Sequence, residues 1–330
     1  MKIAIDVMSG DNAPIETIKG CIKALETCSA KLILVGQKAI IKQELQKYKY
    51  SKDRIEIVDC KEVITMEDSP VNAIRTKKDS SMVVGLNLVK NKEADGFVSA
   101  GNTGALLSGG TLLVGRIKGI QRPALPVLIP TKRGYTLLID CGANMDSKAS
   151  YLQQFAHIGT IYMQEFMDIN KPKVGLINIG TEEEKGNYLT KETFGLLKED
   201  KKIRFIGNIE AREIPTGKAD VLVCDAFVGN VILKFMEGFG SWIFSILRIE
   251  FKRSLKTKIA ALLMKDGINN IKNKFYYSDK GGSPLLGIKG IVIKTHGNAK
   301  ETEICSTILQ AERFVQNELI EKITKNFQKK

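Results

Sequence analysis

Short apolar runs recur along the chain with turn residues at their ends, and segments of helical period lie between most of them. This alternation restricts the fold more than any other feature. The runs are KIAIDVM, KLILVG, RIEIVDC, GFVSA, TLLIDCG, KVGLINIG, IRFIGNI, VLVCD and GIVIK, and the intervening segments include PIETIKGCIKALE and VNAIRTKKDSSMVVGLNLVKN. Near-continuous apolar strands alternating with helices predict an α/β protein whose mainly parallel sheet is covered on both faces. No fixed-period repeat, low-complexity tract or linker interrupts the pattern, so residues 1–330 read as a single domain built on one extended sheet.

Composition narrows the chemistry. At 330 residues and 43% hydrophobic content the chain can bury a large core. Lys and Arg outnumber Asp and Glu by 50 to 37, a net charge of +13 that suits an anionic partner without choosing among membrane, nucleic acid and acidic protein. Cys21, Cys28, Cys60, Cys141, Cys224 and Cys305 lack CxxC spacing, and several sit in apolar runs where a thiol behaves as a small hydrophobe. Disulfides and zinc are therefore not expected. His157 and His296 are the only imidazoles and form no metal motif; His157 lies in a helical pattern and reads as structural. The N-terminal apolar run is cut by Asp6, and no segment approaches the ~20 apolar residues of a membrane span. A cytoplasmic protein, attached at most to a membrane face, is expected.

In open α/β sheets, ligands bind beyond the carboxyl ends of the strands. The residues there are DVMSGDN (6–12), SAGNTG (99–104), DCGAN (140–144), NIGTEEEKGN (178–187), NIEAR (208–212) and DAFVGN (225–230). Each loop alone is an ordinary turn; the repeated Asn or Asp with Gly is the signal, and all are expected on one sheet edge. SAGNTG matches neither GxxxxGK[ST] nor GxGxxG. A strand, a glycine turn and a helix start with Asn102, Thr103 and Gly104 read either as a small-anion site or as a capped helix packed close to the sheet. Lys185, beside Glu182 to Glu184 in a glycine-bracketed loop, reads either as part of a solvated charge run or as a group that neutralises a developing oxyanion or an anionic nucleophile. Arg116, Lys118 and Arg122 read as solvated charges or as a landing site for an acidic partner. With no Gly-x-Ser-x-Gly elbow, direct attack by a bound nucleophile fits better than a covalent acyl-enzyme.

Taken together, MKIAIDVMSGDNAP, SPVNAIRTKKDSSM, ADGFVSAGNTGALLSGGTLLVGRIKGIQRPAL, DCGANMDSK, VGLINIGTEEEKGNYLT, FIGNIEAR, DAFVGNVILK, DKGGSPLLGIKG and VIKTHGNA resemble, in order and over nearly the whole chain, the phosphate acyltransferases of bacterial phospholipid synthesis, the PlsX family. Departures are slight: paired glycines are commoner after the Met of DVMSGDN, and Val is commoner at Cys141. The resemblance implies a three-layer, Rossmann-like α/β/α fold akin to phosphate acetyltransferases and isocitrate dehydrogenases, a homodimer, and no metal or other cofactor. It implies transfer of a long fatty acyl group from acyl carrier protein to inorganic phosphate, giving an acyl phosphate for a glycerol-3-phosphate acyltransferase. Carried onto this sequence, phosphate and thioester meet among Asn102, Thr103, Gly104, Asn144, Thr181, Lys185, Asn208, Asp225 and Asn230. Lys185 is expected to stabilise charge and Asn230 to hydrogen-bond the carbonyl or phosphate, with His296 further out.

Ser254 to Lys265 places Leu255, Ile259, Leu262 and Leu263 on one helical stripe, and INNIKNKF continues with Ile268, Ile271 and Phe275. Lys256, Lys258, Lys265, Lys272 and Lys274 occupy the other side, with Asp266 the lone acid. A helical hairpin over about 254–276 is expected; its stripe is covered either by core or partner or by an anionic membrane surface, and its basic side also suits acyl carrier protein. Two other functions stay open: a short-chain phosphate acyltransferase using acyl-coenzyme A, and a non-catalytic membrane-binding protein. Nucleic acid is not expected, because few aromatics interleave with the basic residues and no RNA-binding signature occurs.

Overall fold

The computed structural model describes residues 1–275 and 281–328. Side chains at 269 and 272–275, which include the expected Lys272, Lys274 and Phe275, lie outside the described residues, as do Asp279 and Lys280 of DKGG. The first part of the chain forms β1 (Lys2–Asp6), α1 (Ile15–Leu25), β2 (Lys31–Gly36), α2 (Lys38–Leu45), β3 (Ile55–Asp59), α3 (Pro70–Thr76), α4 (Ser81–Lys90), β4 (Gly96–Ser99) and α5 (Thr103–Gly109). There follow β5 (Val127–Thr131), β6 (Gly134–Ile139), α6 (Ala149–Met167), β7 (Lys173–Asn178), α7 (Tyr188–Glu199), β8 (Arg204–Glu210) and β9 (Val221–Val223). Then come α8 (Ala226–Lys252), α9 (Leu255–Leu263), α10 (Lys265–Phe275), β10 (Ser283–Pro284), β11 (Ile291–Lys294), α11 (Glu301–Gln316) and α12 (Leu319–Gln328).

Every apolar run expected as a strand is one, and the sheets are mostly parallel with helices on both sides. The single extended sheet is not found. The strands form a six-stranded sheet, β10-β11-β4-β1-β2-β3, and a five-stranded sheet, β5-β6-β9-β7-β8. Apolar period marks a strand but not its neighbours, which are chosen by long-range pairing. The chain correspondingly divides into two compact units, the first holding Met1–Pro126, His157–Pro172 and the segment after the hairpin, the second holding Val127–Ala156 and the segment from Lys173 through the hairpin.

In the first unit β1, β2, β3, β4 and β11 run parallel, and only β10 is antiparallel. Its core is built from Ala4, Ile33, Met82, Leu86, Phe97 and Val292. VNAIRTKKDSSMVVGLNLVKN is two helices, not one, because the Ser80 hydroxyl accepts from Val83 N–H and caps a new start. His157 packs edge-on against Phe327, 6.1 Å between ring centroids, a structural role as expected. In the second unit the β5–β6 hairpin is antiparallel, while β6, β9, β7 and β8 are parallel around a core of Leu138, Ile177, Ile209 and Leu222. All six cysteines are free and buried. Among the described residues no helix is long and apolar enough to cross a membrane.

Candidate active site

Two sheets mean two carboxyl edges, so the six polar loops do not share one. Asn102, Thr103, Gly104 and His296 belong to the first unit, whereas Asn144, Thr181, Lys185, Asn208, Asp225 and Asn230 belong to the second.

In the first unit the chain runs outward from β1 through β2 to β3 and then returns on the other side of β1 as β4. The order therefore reverses between β1 and β4, the kind of position where α/β sheets bind ligands. Asp6 ends β1 and is almost wholly buried. Its carboxylate accepts from Ser99 Oγ at 2.8 Å and from Met8 N–H at 3.3 Å. Burial raises its pKa above the ordinary carboxylate value, against the opposing pull of the Ser81, Ser9 and Ser99 hydroxyls and of Met8 N–H. Ser99 Oγ in turn accepts from Gly101 N–H, so the Asp6–Ser99 pair sets the path of the SAGNTG loop.

Asn102 is occupied structurally. Its Oδ1 accepts from Ala105 N–H at 3.0 Å, capping α5, and its Nδ2 reaches the carbonyls of Thr65, Met66 and Asp68. The capped-helix reading describes this side chain. Thr103 is exposed, and the N–H groups of Thr103 and Gly104 lie in the first turn of α5, where no intrahelical acceptor exists. His296 is exposed, with Nδ1 accepting from Asn298 N–H. Arg116, Lys118 and Arg122 are exposed, and the Arg116 guanidinium donates to the Gln121 carbonyl.

The second unit has its own reversal. From β7 the chain moves outward to β8 and then returns as β9 on the other side of β7. The loop leaving β7, which carries Lys185, and the start of α8 after β9, which carries Asn230, flank that point. Lys185 is exposed, and no ion pair involves it among the described residues. The backbone beneath it is held firmly: Asn178 Nδ2 donates to the Lys185 carbonyl at 3.0 Å, and Asn208 Nδ2 donates to the Glu182 carbonyl at 2.8 Å. Gly186, at φ +96°, lies so close to the Asn178 amide that a Cβ would come within 2.3 Å of its oxygen. This position requires glycine for its backbone angle as well as its space. Thr181 is exposed in the same loop.

On the other side of the reversal, Asp225 caps α8 by accepting from Val228 N–H at 2.9 Å. A Cβ on Gly229 would sit 1.9 Å from the Asp140 carbonyl oxygen, so glycine lets α8 approach the end of β6. Asp140, fully buried, gathers the N–H groups of Gly142, Ala143 and Asn144, and also accepts from Asn144 Nδ2 at 2.7 Å. Asn230, half-buried in the second turn of α8, has no hydrogen bond to its carboxamide among the described residues.

The site residues expected from sequence thus separate by what their side chains already hold. Asn102, Asn144, Asn208 and Asp225 maintain loops and helix starts, whereas Lys185, Asn230, Thr181, Thr103 and His296 keep groups open to a ligand. Sequence reading missed the specific duty of Asn178, whose conspicuous place before a glycine turn was a signal. It also missed the exposed stripe on α8. Phe235, Phe239, Trp242, Ile246 and Ile249 are all exposed there at alternating spacings of four and three, with Phe235 and Phe239 stacked at 5.7 Å.

A family model described as "Fatty acid synthesis protein" matches residues 1–322. The chain is 52% identical over 324 residues to a phosphate acyltransferase of Alkaliphilus oremlandii, covering 98% of this chain and 96% of that one. It is 50% identical over 322 residues to a phosphate acyltransferase of Caldicellulosiruptor saccharolyticus, covering 97% and 96%. Among solved structures it resembles a phosphotransacetylase from Streptococcus pyogenes, with a TM-score of 0.63 at 16% identity over 96% of this chain and 94% of that one. A branched-chain phosphotransacylase from Enterococcus faecalis gives a TM-score of 0.59 at 14% identity over 96% and 99%. At such identities the structural likeness concerns the fold. Near-half identity over almost the full length goes further, and this chain belongs to the phosphate acyltransferase family.

Proposed function

We propose that this protein transfers a long fatty acyl group from acyl carrier protein to inorganic phosphate, releasing an acyl phosphate. The observation that carries this reading is an unbridged Lys185 ammonium on the loop after β7 and an unbonded Asn230 carboxamide in the second turn of α8 after β9, on the two elements that flank the β7/β9 reversal. In this mechanism a phosphate oxygen attacks the thioester carbonyl carbon. Phosphate is already an anionic nucleophile at neutral pH and needs no general base. As the C–O bond forms, the carbonyl oxygen becomes an oxyanion beside the Lys185 ammonium, with Asn230 Nδ2 as hydrogen-bond donor. Collapse breaks the C–S bond, and the thiolate leaves and takes a proton from solvent. Within the second unit Thr181 is a candidate polar contact for the phosphate; the N–H groups of Thr103 and Gly104, with His296, are a separate candidate anion position in the first unit.

The fatty acyl product is insoluble enough to favour work at a lipid surface, and the exposed hairpin stripe supports this. Leu262 and Leu263 are 71% and 81% exposed, and Leu255, Ile259 and Ile271 are exposed while Ile268 is partly so. With Lys256, Lys258 and Lys265 nearby, this composition suits an anionic membrane surface. The α8 stripe supports a homodimer. Arg116, Lys118 and Arg122 are proposed to receive acidic acyl carrier protein, and a glycerol-3-phosphate acyltransferase is the proposed consumer of the product.

The test is incubation with palmitoyl acyl carrier protein and radiolabelled phosphate, alongside Lys185→Ala and Asn230→Ala. Labelled acyl phosphate from wild type, with at least a hundredfold loss in Lys185→Ala, is expected. Equal product from acetyl-coenzyme A would favour the short-chain alternative, and no product from folded protein would leave the membrane-binding alternative.

A further inference from the structure

A pocket lies on the carboxyl edge of the first sheet, away from the β1/β4 reversal. It occupies about 620 Å³ at the ends of β2 and β3 and is lined by Gln37, Lys38, Ala39, Lys42, Asp59, Cys60 and Lys61. Its volume is within the range of pockets for small organic ligands, roughly 300–1,000 Å³, and generous for an inorganic ion.

Its charge is mainly positive, three lysines against the one carboxylate of Asp59. Lys38 and Lys42 sit four residues apart on one face of α2, and Lys61 follows β3. None of the three forms an ion pair among the described residues, although Lys47 on the same helix pairs with Glu44 at 2.6 Å. The sole carboxylate of the lining, Asp59, already accepts from Lys38 N–H at 2.8 Å through Oδ1. Gln37 does not cap α2 with its side chain; its Nε2 donates to the Lys61 carbonyl instead. The N-terminus of α2 is already met by the Asp59 carboxylate through Lys38 N–H, so the positive charge offered to a ligand comes from the three lysine side chains. The buried Cys60 thiol, pushed up to about 12 by burial, contributes no charge near neutrality.

We propose that this pocket binds an organic phosphate ester, with Lys38, Lys42 and Lys61 around the phosphate and the organic body filling the rest of the cavity against Ala39 and the lysine stems. The inference does not depend on the acyl transfer proposed above. Two sources share this chemistry, a phosphopantetheine arm and a nucleotide.

Equilibrium binding to the full-length protein by titration calorimetry tests it, with 4′-phosphopantetheine, adenosine monophosphate and inorganic phosphate as separate probes. One of the two esters is expected to bind at least tenfold more tightly than inorganic phosphate, and which one does identifies the source. Binding should weaken at least tenfold in the combined Lys38→Gln, Lys42→Gln, Lys61→Gln variant and return when arginine replaces all three. All three lysines are exposed, so melting temperature should not move. Inorganic phosphate binding as tightly as both esters, binding unaltered in the glutamine variant, or no binding of any probe overturns the proposal.

Discussion

The side-chain amide of Asn178, the last residue of β7, donates to the backbone carbonyl of Lys185 at 3.0 Å, so the end of a buried strand shapes the loop that carries the exposed ammonium. The same amide accepts from Ile179 N–H through Oδ1 at 2.8 Å, which fixes its orientation. A flexible lysine on a mobile loop would lose freedom with each turnover, whereas this one starts from a held backbone.

Asn178→Ala should therefore lower kcat by tenfold or more with a smaller effect on KM, while destabilising the fold by about 1–3 kcal/mol. Steady-state kinetics and urea unfolding on the same preparation separate the two. A loss of stability with unchanged kcat would assign Asn178 to the fold alone.

Gly229→Ala places a methyl 1.9 Å from the Asp140 carbonyl oxygen, a backbone atom that cannot swing aside. The expected destabilisation is about 3 kcal/mol, toward the upper end for overpacking. The urea midpoint reports it, and a wild-type midpoint would mean that α8 shifts freely.

Asp6 gives a pH signature. Its pKa is raised in the folded protein above the ordinary 3.8, so the native state binds this proton more tightly than the unfolded chain does. That contribution is complete below 3.8 and is lost as pH rises through the raised value. Relative to Asp6→Asn, wild type should thus gain stability on acidification within that window, by at most about 1.4 kcal/mol per pH unit. Unfolding free energies of the two proteins from pH 7 downward check the sign; parallel profiles contradict it.

Leu262→Asp with Leu263→Asp should abolish sedimentation with phosphatidylglycerol vesicles while leaving the melting temperature within about 2 °C, because both side chains are already in solvent. Retained vesicle binding would remove the hairpin from the membrane reading.

Phe239→Asp, in the middle of the α8 stripe, should convert a dimer to a monomer in sedimentation equilibrium. An unchanged mass would show that the stripe does not join two copies.

Much was legible in the chain itself. Apolar runs such as KLILVG and KVGLINIG are β2 and β7 because a strand buried on both faces needs nearly every side chain apolar, and that demand is local. The polar strand ends, and Lys185 with Asn230 among them, were visible for the same reason, since turn residues have to interrupt such runs. The β5 strand escaped notice because VLIPT holds a proline and owes its place to the antiparallel hairpin with β6. What the sequence by itself determined is most of the strands, the polar strand ends and the family. Only the tertiary structure decided that the strands form two sheets, and that Asn102, Asn144, Asn208 and Asp225 hold backbone while Lys185 and Asn230 remain open. The physical reason is that strand order and hydrogen-bond partnership are settled between residues far apart in the chain. An asparagine that caps a helix and one that waits for a ligand are spelled alike until those partners are in place.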